Sequence, residues 1–307
     1  MKRLTVIIIC GPTAVGKSRI AVSLAKGRGE IISADSMQVY KYLDIGTAKP
    51  DKALLKQVKH HLIDVVDPEQ NFSAYDFISR TKNIITEIHN KDLIPFIVGG
   101  TGLYIRSLMC GLSEAPGRNE QLRRRLDKIE KQKGLLFLYK KLQQKDHEYA
   151  SVIKENDRVR IKRALEVYYS EGRPFSGYLK QHDKSPLYNA LWIGLTEERK
   201  DLYAKINART ESMYDEGLVK ETRDLLRSGY SEELLERKGI GYKEAIAYIN
   251  KKLTLEQAKE ETMKKTRNYA KRQMTWFRKE KHIKWFHPDE IEQVRSYLDH
   301  WLLLNNN

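Results

Sequence analysis

The chain has 307 residues, of which 40% are hydrophobic, so it is long enough for two domains and too apolar to be a disordered tail. Lys and Arg number 56 against 41 Asp and Glu, and the formal net charge of +15 favours a polyanionic partner, although a protein can also be basic without one. The two cysteines exclude a disulfide framework and no apolar run can span a bilayer, so we expect a cytoplasmic protein without a membrane partner.

The first hundred residues alternate short apolar runs with helical patterns. Apolar runs rich in β-branched residues predict strands at Leu4–Cys10, Glu30–Ala34, Leu62–Val66 and Ile94–Val98. Helical spacing predicts helices at Gly16–Leu24 and Ser73–His89, and Ser73 is a candidate N-cap of the second. Strands that alternate with helices predict a parallel sheet with helices on both faces, which is an α/β fold.

The pattern changes after Gly111. From Arg118 to Gly172 one basic helical pattern follows another, and Gly172–Pro186 has the composition of a loop. Leu191–Leu195 then predicts one more core strand, and long helices are expected from there to the end. The predicted organisation is an α/β core made of residues 1–112 and 188–307, with an all-helical insertion at residues 113–187.

A phosphate-binding motif follows the first predicted strand. The pattern G-x-x-x-x-G-K-[ST] is matched at every position by Gly11-Pro12-Thr13-Ala14-Val15-Gly16-Lys17-Ser18. In such a loop the backbone N–H groups and the helix N-terminus bind phosphate oxygens, the lysine adds a positive charge, and the serine is a ligand of Mg²⁺. The motif therefore predicts a P-loop NTPase-like sheet that binds a diphosphate or a triphosphate, and it does not by itself specify ATP.

Polar residues also end two other predicted strands. Glu30–Ala34 is followed by Asp35, and Ile94–Val98 is followed by Gly99-Gly100-Thr101-Gly102. Since ligands of open parallel sheets bind beyond the carboxyl ends of the strands, Asp35 is a candidate base and the glycine turn a second candidate ligand contact. The alternatives are a helix cap for Asp35 and a tight turn capped by Thr101. The strand at Ile94–Val98 does not end in the Mg²⁺-binding aspartate that a triphosphate hydrolase would need.

Several segments together resemble the tRNA dimethylallyltransferases, also called tRNA isopentenyltransferases. Besides the phosphate loop they are, in the family's order, Ala34–Tyr40, Asp44–Pro50, His60–Asp64, Val98–Thr101, Arg163–Val167 and Ala270–Gln273. The resemblance covers nearly the whole chain and is of the bacterial type, because the C-terminal third has no cysteine pair for the zinc finger of some eukaryotic members. One departure is Gly241-Tyr242-Lys243-Glu244, where the family often has Arg-Gln after Gly-Tyr.

The resemblance implies a specific prenyl transfer. The dimethylallyl group of dimethylallyl diphosphate would move to N6 of the adenosine at tRNA position 37, 3′ of the anticodon, giving N6-dimethylallyladenosine and diphosphate. Residues 11–18 and Mg²⁺, held by Ser18, would stabilise the leaving diphosphate. Asp35 would accept the N6 proton. By resemblance Thr13 and Thr101 orient the reactants and Arg223 is an active-site arginine.

The resemblance also implies which residues contact the tRNA. Asp35, Ser36, Met37, Gln38 and Thr101 would meet the target adenosine, and the helical insertion would grip the anticodon stem-loop through Arg123, Val159, Arg160, Ile161, Lys162 and Arg163. Taken alone, each basic cluster of the insertion is more typical of a solvated helix face. The net charge and the resemblance together favour RNA contact.

Two other functions would explain part of the sequence. A P-loop kinase for nucleotides or other small molecules would explain residues 11–18 but not the basic insertion. The second alternative is a noncatalytic RNA-binding protein with a nucleotide switch. We expect a monomer whose partners are tRNA and dimethylallyl diphosphate.

Overall fold

The computed structural model describes residues 3–182 and 185–305. The chain divides into a first unit, residues 1–109 with 186–307, and a second unit, residues 110–185. The second unit lies within three residues of the predicted insertion at 113–187 at either end, and in its described part it contains helices only.

The strands all belong to the first unit and form one parallel sheet. In chain order they are β1 (Thr5–Cys10), β2 (Gly29–Ser33), β3 (His60–His61), β4 (Ile94–Gly99), β5 (Asn189–Leu195) and β6 (Lys284–Phe286). The spatial order is β3-β2-β4-β1-β5-β6, with Ile8 of β1 level with Ile97 of β4 and Trp192 of β5. The predicted parallel α/β fold is therefore confirmed, and the carboxyl ends of the strands open at one edge.

Helices lie between and after the strands of the described chain. They are α1 (Lys17–Ala25), α2 (Lys52–Gln57), α3 (Ala74–His89), α4 (Gly102–Cys110), α5 (Glu120–Lys133), α6 (Leu135–Lys145), α7 (His147–Val152), α8 (Arg158–Glu171), α9 (Phe175–Gln181), α10 (Arg199–Asp215), α11 (Leu218–Arg227), α12 (Glu232–Leu235), α13 (Tyr242–Ile249), α14 (Leu255–Phe277) and α15 (Ile291–Asn305). Within the described residues, none of these helices is long and apolar enough to cross a membrane.

Burial on both faces explains the apolar strands. Ile7 and Ile9 of β1 pack in a buried cluster with side chains of α1, α10 and α15. The alternate residues of the strand point to the opposite face, where α3 packs against β2 and β4. As predicted, Ser73 is the N-cap of α3: its hydroxyl accepts the N–H of Asp76, and the Asp76 carboxylate accepts the N–H of Ser73.

The second unit has its own apolar core. Leu126 of α5, Leu142 of α6 and Leu165 of α8 are buried together in it. A unit with a separate core can carry surface groups that do not compromise the packing of the sheet.

Two predictions about elements were wrong. The third strand was predicted at Leu62–Val66, but β3 ends at His61 because Leu62 and Asp64 have φ angles of +61° and +56°, which extended backbone does not allow. The expected loop at Gly172–Pro186 contains α9, which starts after Pro174. The short edge strand β6 was not predicted among the C-terminal helices.

Candidate active site

The phosphate loop joins β1 to α1 and has the backbone that an anion site needs. Ala14 and Gly16 have φ angles of +66° and +93°, and such left-handed residues turn consecutive N–H groups toward one point. Gly16 caps α1 without a side-chain hydrogen bond, so the first N–H groups of the helix are not satisfied by a capping side chain. The loop is therefore suited to bind phosphate oxygens.

Two cations meet at this loop. Lys17 Nζ donates a hydrogen bond to the Pro12 carbonyl at 2.6 Å. Arg209, which projects from α10, donates to Thr13 Oγ1 at 3.4 Å and to the Ala48 carbonyl at 3.3 Å. These acceptors are neutral, so both positive charges are left for an anionic ligand.

Burial destabilises the protonated, charged form of both Lys17 and Arg209. Desolvation lowers the pKa of Lys17 to about 8, an effect that the Asp35 carboxylate opposes and the Arg209 charge reinforces. Desolvation also lowers the pKa of Arg209, against the attraction of Asp35 and Glu216. The charged forms of such desolvated cations are strongly stabilised when an anion binds beside them.

Asp35 lies just after β2 and shapes the turn that follows it. Its Oδ1 accepts the backbone N–H of Met37 at 2.9 Å and that of Gln38 at 3.4 Å. Thr101, which follows β4 and its glycines, accepts the N–H of Ser36 at 3.1 Å. The ends of two neighbouring strands are thereby fastened together, and Asp35 caps a turn rather than a helix.

Gln273 of α14 connects the phosphate loop to the second glycine turn. Its Oε1 accepts the Thr13 N–H at 2.8 Å, and its Nε2 donates to the Gly100 carbonyl at 3.0 Å. The Gln273 side chain is buried, and its bond to Gly100 is shielded from water. The segment Ala270–Gln273 matches the family, but no local pattern in the sequence indicated this bridging role.

Lys17, Arg209, Asp35 and Gln273 border one cleft of about 830 Å³ in the first unit. The predicted residues among its lining are Thr13, Ala14, Gly16, Lys17, Ser18, Asp35 and Gln38. Gly11, Pro12 and Val15 form the buried part of the loop, and Ser36, Met37 and Thr101 are partly buried beside the lining residues. Tyr269 also lines the cleft, and burial, followed by the charge of Asp35, raises its pKa to about 12.

Arg223 does not reach this cleft. It lies exposed on α11 and is absent from the lining, and no hydrogen bond or ion pair joins it to another described residue. The arginine that donates a hydrogen bond to the phosphate loop is Arg209. The available signal was the spacing of Lys205, Arg209 and Glu216, which places three charged residues on one face at and just beyond α10.

The fit to Mg²⁺ depends on oxygen ligands beside the phosphate site. Ser18 and Asp35 both line the cleft with hard oxygen donors. No group of three or more His, Cys, Asp or Glu side chains among the described residues could hold a metal ion alone. Because Mg²⁺ is commonly held by one or two protein oxygens together with substrate phosphates and water, these residues fit it as part of a diphosphate complex.

In the second unit, two of the predicted tRNA-binding arginines meet a buried carboxylate. Arg123 donates to both oxygens of Glu166 at 2.9 and 3.0 Å, and Arg163 donates to Glu166 at 3.0 Å and to the Pro116 carbonyl at 2.6 Å. Glu166 is fully buried and also accepts the Asn119 N–H. Burial raises the pKa of Glu166, but these hydrogen bonds outweigh burial and the net shift is downward.

The other predicted contacts in α8 differ in exposure. Val159 and Arg160 are exposed at the start of the helix, and Arg160 lies 3.5 Å from Asp157. Ile161 is fully buried in the core of the unit, so its side chain is not on the surface. Lys162 is paired with Asp127 and Glu130 of α5.

The class of protein follows from the sheet and the cleft. The sheet is parallel and six-stranded, a phosphate loop follows β1, and the carboxylate of Asp35 follows β2, the strand paired with β4. This arrangement defines an α/β enzyme of the P-loop type.

The sequence model described as IPP transferase matches residues 38–280. A tRNA dimethylallyltransferase of Geobacter sulfurreducens is 46% identical over 293 residues, with 94% of each chain covered. One of Caldanaerobacter subterraneus subsp. tengcongensis is 44% identical and covers 97% of this chain and 98% of its own.

Two solved structures are also similar. A full-length tRNA isopentenylpyrophosphate transferase from Bacillus halodurans has a TM-score of 0.73 and 38% identity, covering 99% of this chain and 98% of its own. A eukaryotic dimethylallyltransferase described as acting on tRNA has a TM-score of 0.84 and 27% identity, covering 99% of this chain and 80% of its own. The chain belongs to the IPP transferase family, as its motifs predicted.

Proposed function

We propose that this protein transfers the dimethylallyl group of dimethylallyl diphosphate to N6 of adenosine 37 in tRNA, releasing diphosphate. The observation that carries the proposal is the cleft itself, in which a phosphate loop and the strand-terminal Asp35 face the same space. The similar tRNA dimethylallyltransferases support this function over a small-molecule kinase. A tRNA substrate also favours a cytoplasmic location.

The phosphate end of the cleft would hold the donor. As the bond between C1 and the diphosphate oxygen breaks, both bonding electrons stay with the leaving diphosphate. The loop N–H groups, Lys17 and Arg209 are positioned to stabilise that growing charge. Thr13 would hold Arg209 in orientation through its hydroxyl. Mg²⁺ bound to Ser18 and the diphosphate would supply further charge neutralisation.

The Asp35 end of the cleft would hold the acceptor. The exocyclic amine of adenine is a weak nucleophile because its lone pair is delocalised into the ring. It forms the new C–N bond while Asp35 accepts its proton. Gln38 lines the cleft near Asp35, and Thr101 fixes the Ser36 backbone, so the turn after β2 is suited to orient the base.

The second unit would bind the anticodon stem-loop. Arg160 and Val159 are the exposed candidates for contact with the RNA. Arg123 and Arg163 would contribute mainly by holding the segment around Pro116 and Asn119 to α8, with their remaining exposed N–H groups available to phosphate. The target base must leave its stack to be modified, and phosphate contacts on the stem would hold the RNA meanwhile.

The experiment that tests the function uses bulk tRNA with labelled dimethylallyl diphosphate, and in parallel with labelled ATP. We expect tRNA-dependent labelling and diphosphate release, with negligible ATP turnover, because β4 ends in Gly99 and not in a metal-binding aspartate. Robust ATP hydrolysis stimulated by tRNA would favour the nucleotide-switch alternative. Phosphorylation of a small molecule would favour the kinase.

The role of Asp35 can be tested in the same assay. Asp35→Asn keeps the shape of the side chain and one acceptor oxygen but removes its basicity. Transfer in a single turnover should slow by about 10²–10⁴-fold. Donor binding should be retained because the phosphate loop is unchanged. Transfer near the wild-type rate would mean that Asp35 only organises its turn.

A further inference from the structure

One wall of the cleft is a short loop whose backbone is held by a carboxylate from a helix remote in sequence. The loop runs from Asp44 to Lys49, and the carboxylate is Glu221 of α11. Glu221 Oε2 accepts the N–H of Asp44 at 3.1 Å and of Ile45 at 2.8 Å, and Oε1 accepts the N–H of Gly46 at 3.1 Å. Three consecutive amides therefore bind one side chain.

Tyr242 completes this carboxylate clamp. Its hydroxyl donates to Glu221 Oε1 at 2.7 Å, and the side chain is fully buried. The ring lies so close to Gly46 that a Cβ added there would overlap it, so a side chain at this position cannot be accommodated. Burial, followed by the charge of Glu221, raises the pKa of Tyr242 well above its usual value, so the hydroxyl remains a donor.

The other end of the loop touches groups from both ends of the cleft. The Ala48 carbonyl accepts a hydrogen bond from Arg209 at 3.3 Å and another from Gln38 Nε2 at 3.2 Å. Arg209 is the arginine at the phosphate loop, and Gln38 lies on the turn that Asp35 organises. This single carbonyl therefore contacts a side chain at the phosphate loop and a side chain of the turn that Asp35 organises.

Lys49, the last residue of the loop, also holds the loop in place through its side chain. It donates to the Tyr40 carbonyl at 2.7 Å and to Asp44 at 2.6 Å, and it also pairs with Asp64. Ala48 has a φ of +50°, an uncommon conformation for a residue with a side chain. Such a conformation persists only where neighbouring contacts fix it, and the Glu221 clamp and Lys49 provide those contacts.

We propose that Glu221 is a positioning residue for both substrates: by holding the amides of residues 44–46 it fixes the Ala48 carbonyl, and thereby Arg209 and Gln38. Glu221 itself does not line the cleft and so acts only through the loop. The kinetic part of this role rests on the proposed function, whereas the clamp itself can be measured without it.

The test is Glu221→Gln. The amide has one acceptor oxygen in place of two and presents an NH₂ donor to a backbone donor, so at least one of the three amides loses its partner. Hydrogen exchange at residues 44–46 should accelerate on the order of tenfold. Single-turnover transfer at saturating substrates should slow by about 10²-fold, because misplaced groups lose alignment with the reacting atoms. Tyr242→Phe, which removes one donor to Glu221, should show both effects more weakly.

Glu30→Gln is the matched control. Glu30 likewise accepts hydrogen bonds, from His61 at 2.6 Å and Lys91 at 2.9 Å, and it is more buried than the partly buried Glu221, but it lies at the opposite end of β2 from the cleft. Its loss should lower thermal stability without changing exchange at residues 44–46 or the transfer rate per folded molecule. With a merely structural role for Glu221, the two variants would have the same transfer rate per folded molecule, that of the wild type.

The outcomes separate the clamp from its effect on catalysis. Unchanged exchange at residues 44–46 in Glu221→Gln would overturn the clamp, and accelerated exchange with wild-type transfer would overturn its role in positioning. If the wild-type protein transfers no dimethylallyl group, the proposed function fails separately. The clamp is then judged by exchange and by affinity for inorganic diphosphate, which Glu221→Gln should lower by roughly 2- to 10-fold through Arg209. An unchanged affinity would then overturn the positioning of Arg209 by Glu221.

Discussion

The basic side chains of the two units differ in what they face. In the cleft of the first unit, the hydrogen bonds of Lys17 and Arg209 to other described residues go to carbonyl and hydroxyl oxygens. In the second unit, Arg123 and Arg163 are bound to the buried carboxylate of Glu166, and Lys162 is paired with α5. The two cations of the cleft therefore have carboxylates nearby but no carboxylate hydrogen-bonded to them, whereas several cations of the helical unit are held in direct ion pairs.

The difference shows how a cation is kept available for a ligand. An unpaired cation in a poorly solvated cleft costs stability, which is visible in the lowered pKa of Lys17. Such a loss of stability is tolerated at a binding site, because the attraction of a bound anion offsets it. Arg123 and Arg163 share the single negative charge of Glu166, which offsets part of their charge within the unit, so counting basic residues overstates the surface offered to RNA.

Among the basic side chains compared here, the greatest loss of activity is expected from Arg209 of the cleft. Arg209→Ala should slow transfer by about 10²–10³-fold, because it removes a donor aimed at the leaving diphosphate. Arg223→Ala removes the same charge from the following helix α11 and should leave the rate near that of the wild type. The measurement is single-turnover transfer from labelled donor. A larger loss for Arg223 than for Arg209 would reverse the assignment.

In the helical unit the expected effect is on stability. Glu166→Gln leaves two arginines around a neutral amide and should lower the free energy of unfolding by about 2–4 kcal/mol, allowing for the partial exposure of the arginines. Urea unfolding of the full chain measures this. The control is Glu148→Gln, which removes an exposed partner of Lys180 and should change stability by less than about 1 kcal/mol. Equal effects would show that the Glu166 cluster contributes no more than a surface pair.

A pH titration tests whether the cleft lysine differs from the paired cations. Since the pKa of Lys17 is about 8, affinity for diphosphate should fall as pH rises through that value, by at most about tenfold per unit. Lys17→Arg stays charged and should lose less affinity, which separates this effect from titration of the ligand. A pH profile identical in the two proteins would contradict the assignment to Lys17.

The lowered pKa of Lys17 affects the stability of the ligand-free protein in the opposite direction: stability rises with pH where diphosphate affinity falls. The pKa of Lys17 in the folded state, about 8, lies below its ordinary value of 10.5. Between pH 8 and pH 10.5 the folded state therefore binds fewer protons than the unfolded state. The contribution of Lys17 to stability should therefore rise with pH across that window. The check is the difference between wild type and Lys17→Met in urea unfolding at pH 8 and above. A difference that is constant over the window would show that burial does not shift this group.

A modest effect is expected from the exposed arginine of α8. Arg160→Ala should reduce the salt slope of tRNA binding by about one unit or less while leaving stability within about 0.5 kcal/mol. Arg227→Ala, an exposed arginine on α11 of the first unit, is the control for net charge. If the two variants bind tRNA with equal slopes, the start of α8 is not the phosphate-binding surface.

Features that depend on neighbours in the chain could be predicted from the amino-acid sequence alone. The phosphate loop, the strand ends near Asp35 and Gly99, and the Ser73 cap were predicted correctly as elements because each is defined by spacing over a few residues. The family was evident for the same reason, since its motifs are short and ordered. Leu62–Val66 was predicted as a strand because an apolar run does not reveal the positive φ angles within it.

Which polar side chains share the cleft depends on the tertiary fold. Gln273 meets Thr13 across 260 residues of chain, and Glu221 meets Ile45 across 176. The helical spacing of Lys205, Arg209 and Glu216 predicts a shared face, but it does not show that this face meets the phosphate loop while Arg223 lies exposed on the next helix. The availability of a charge depends on burial and on the partner that the fold brings to it, and both are set by residues remote in sequence.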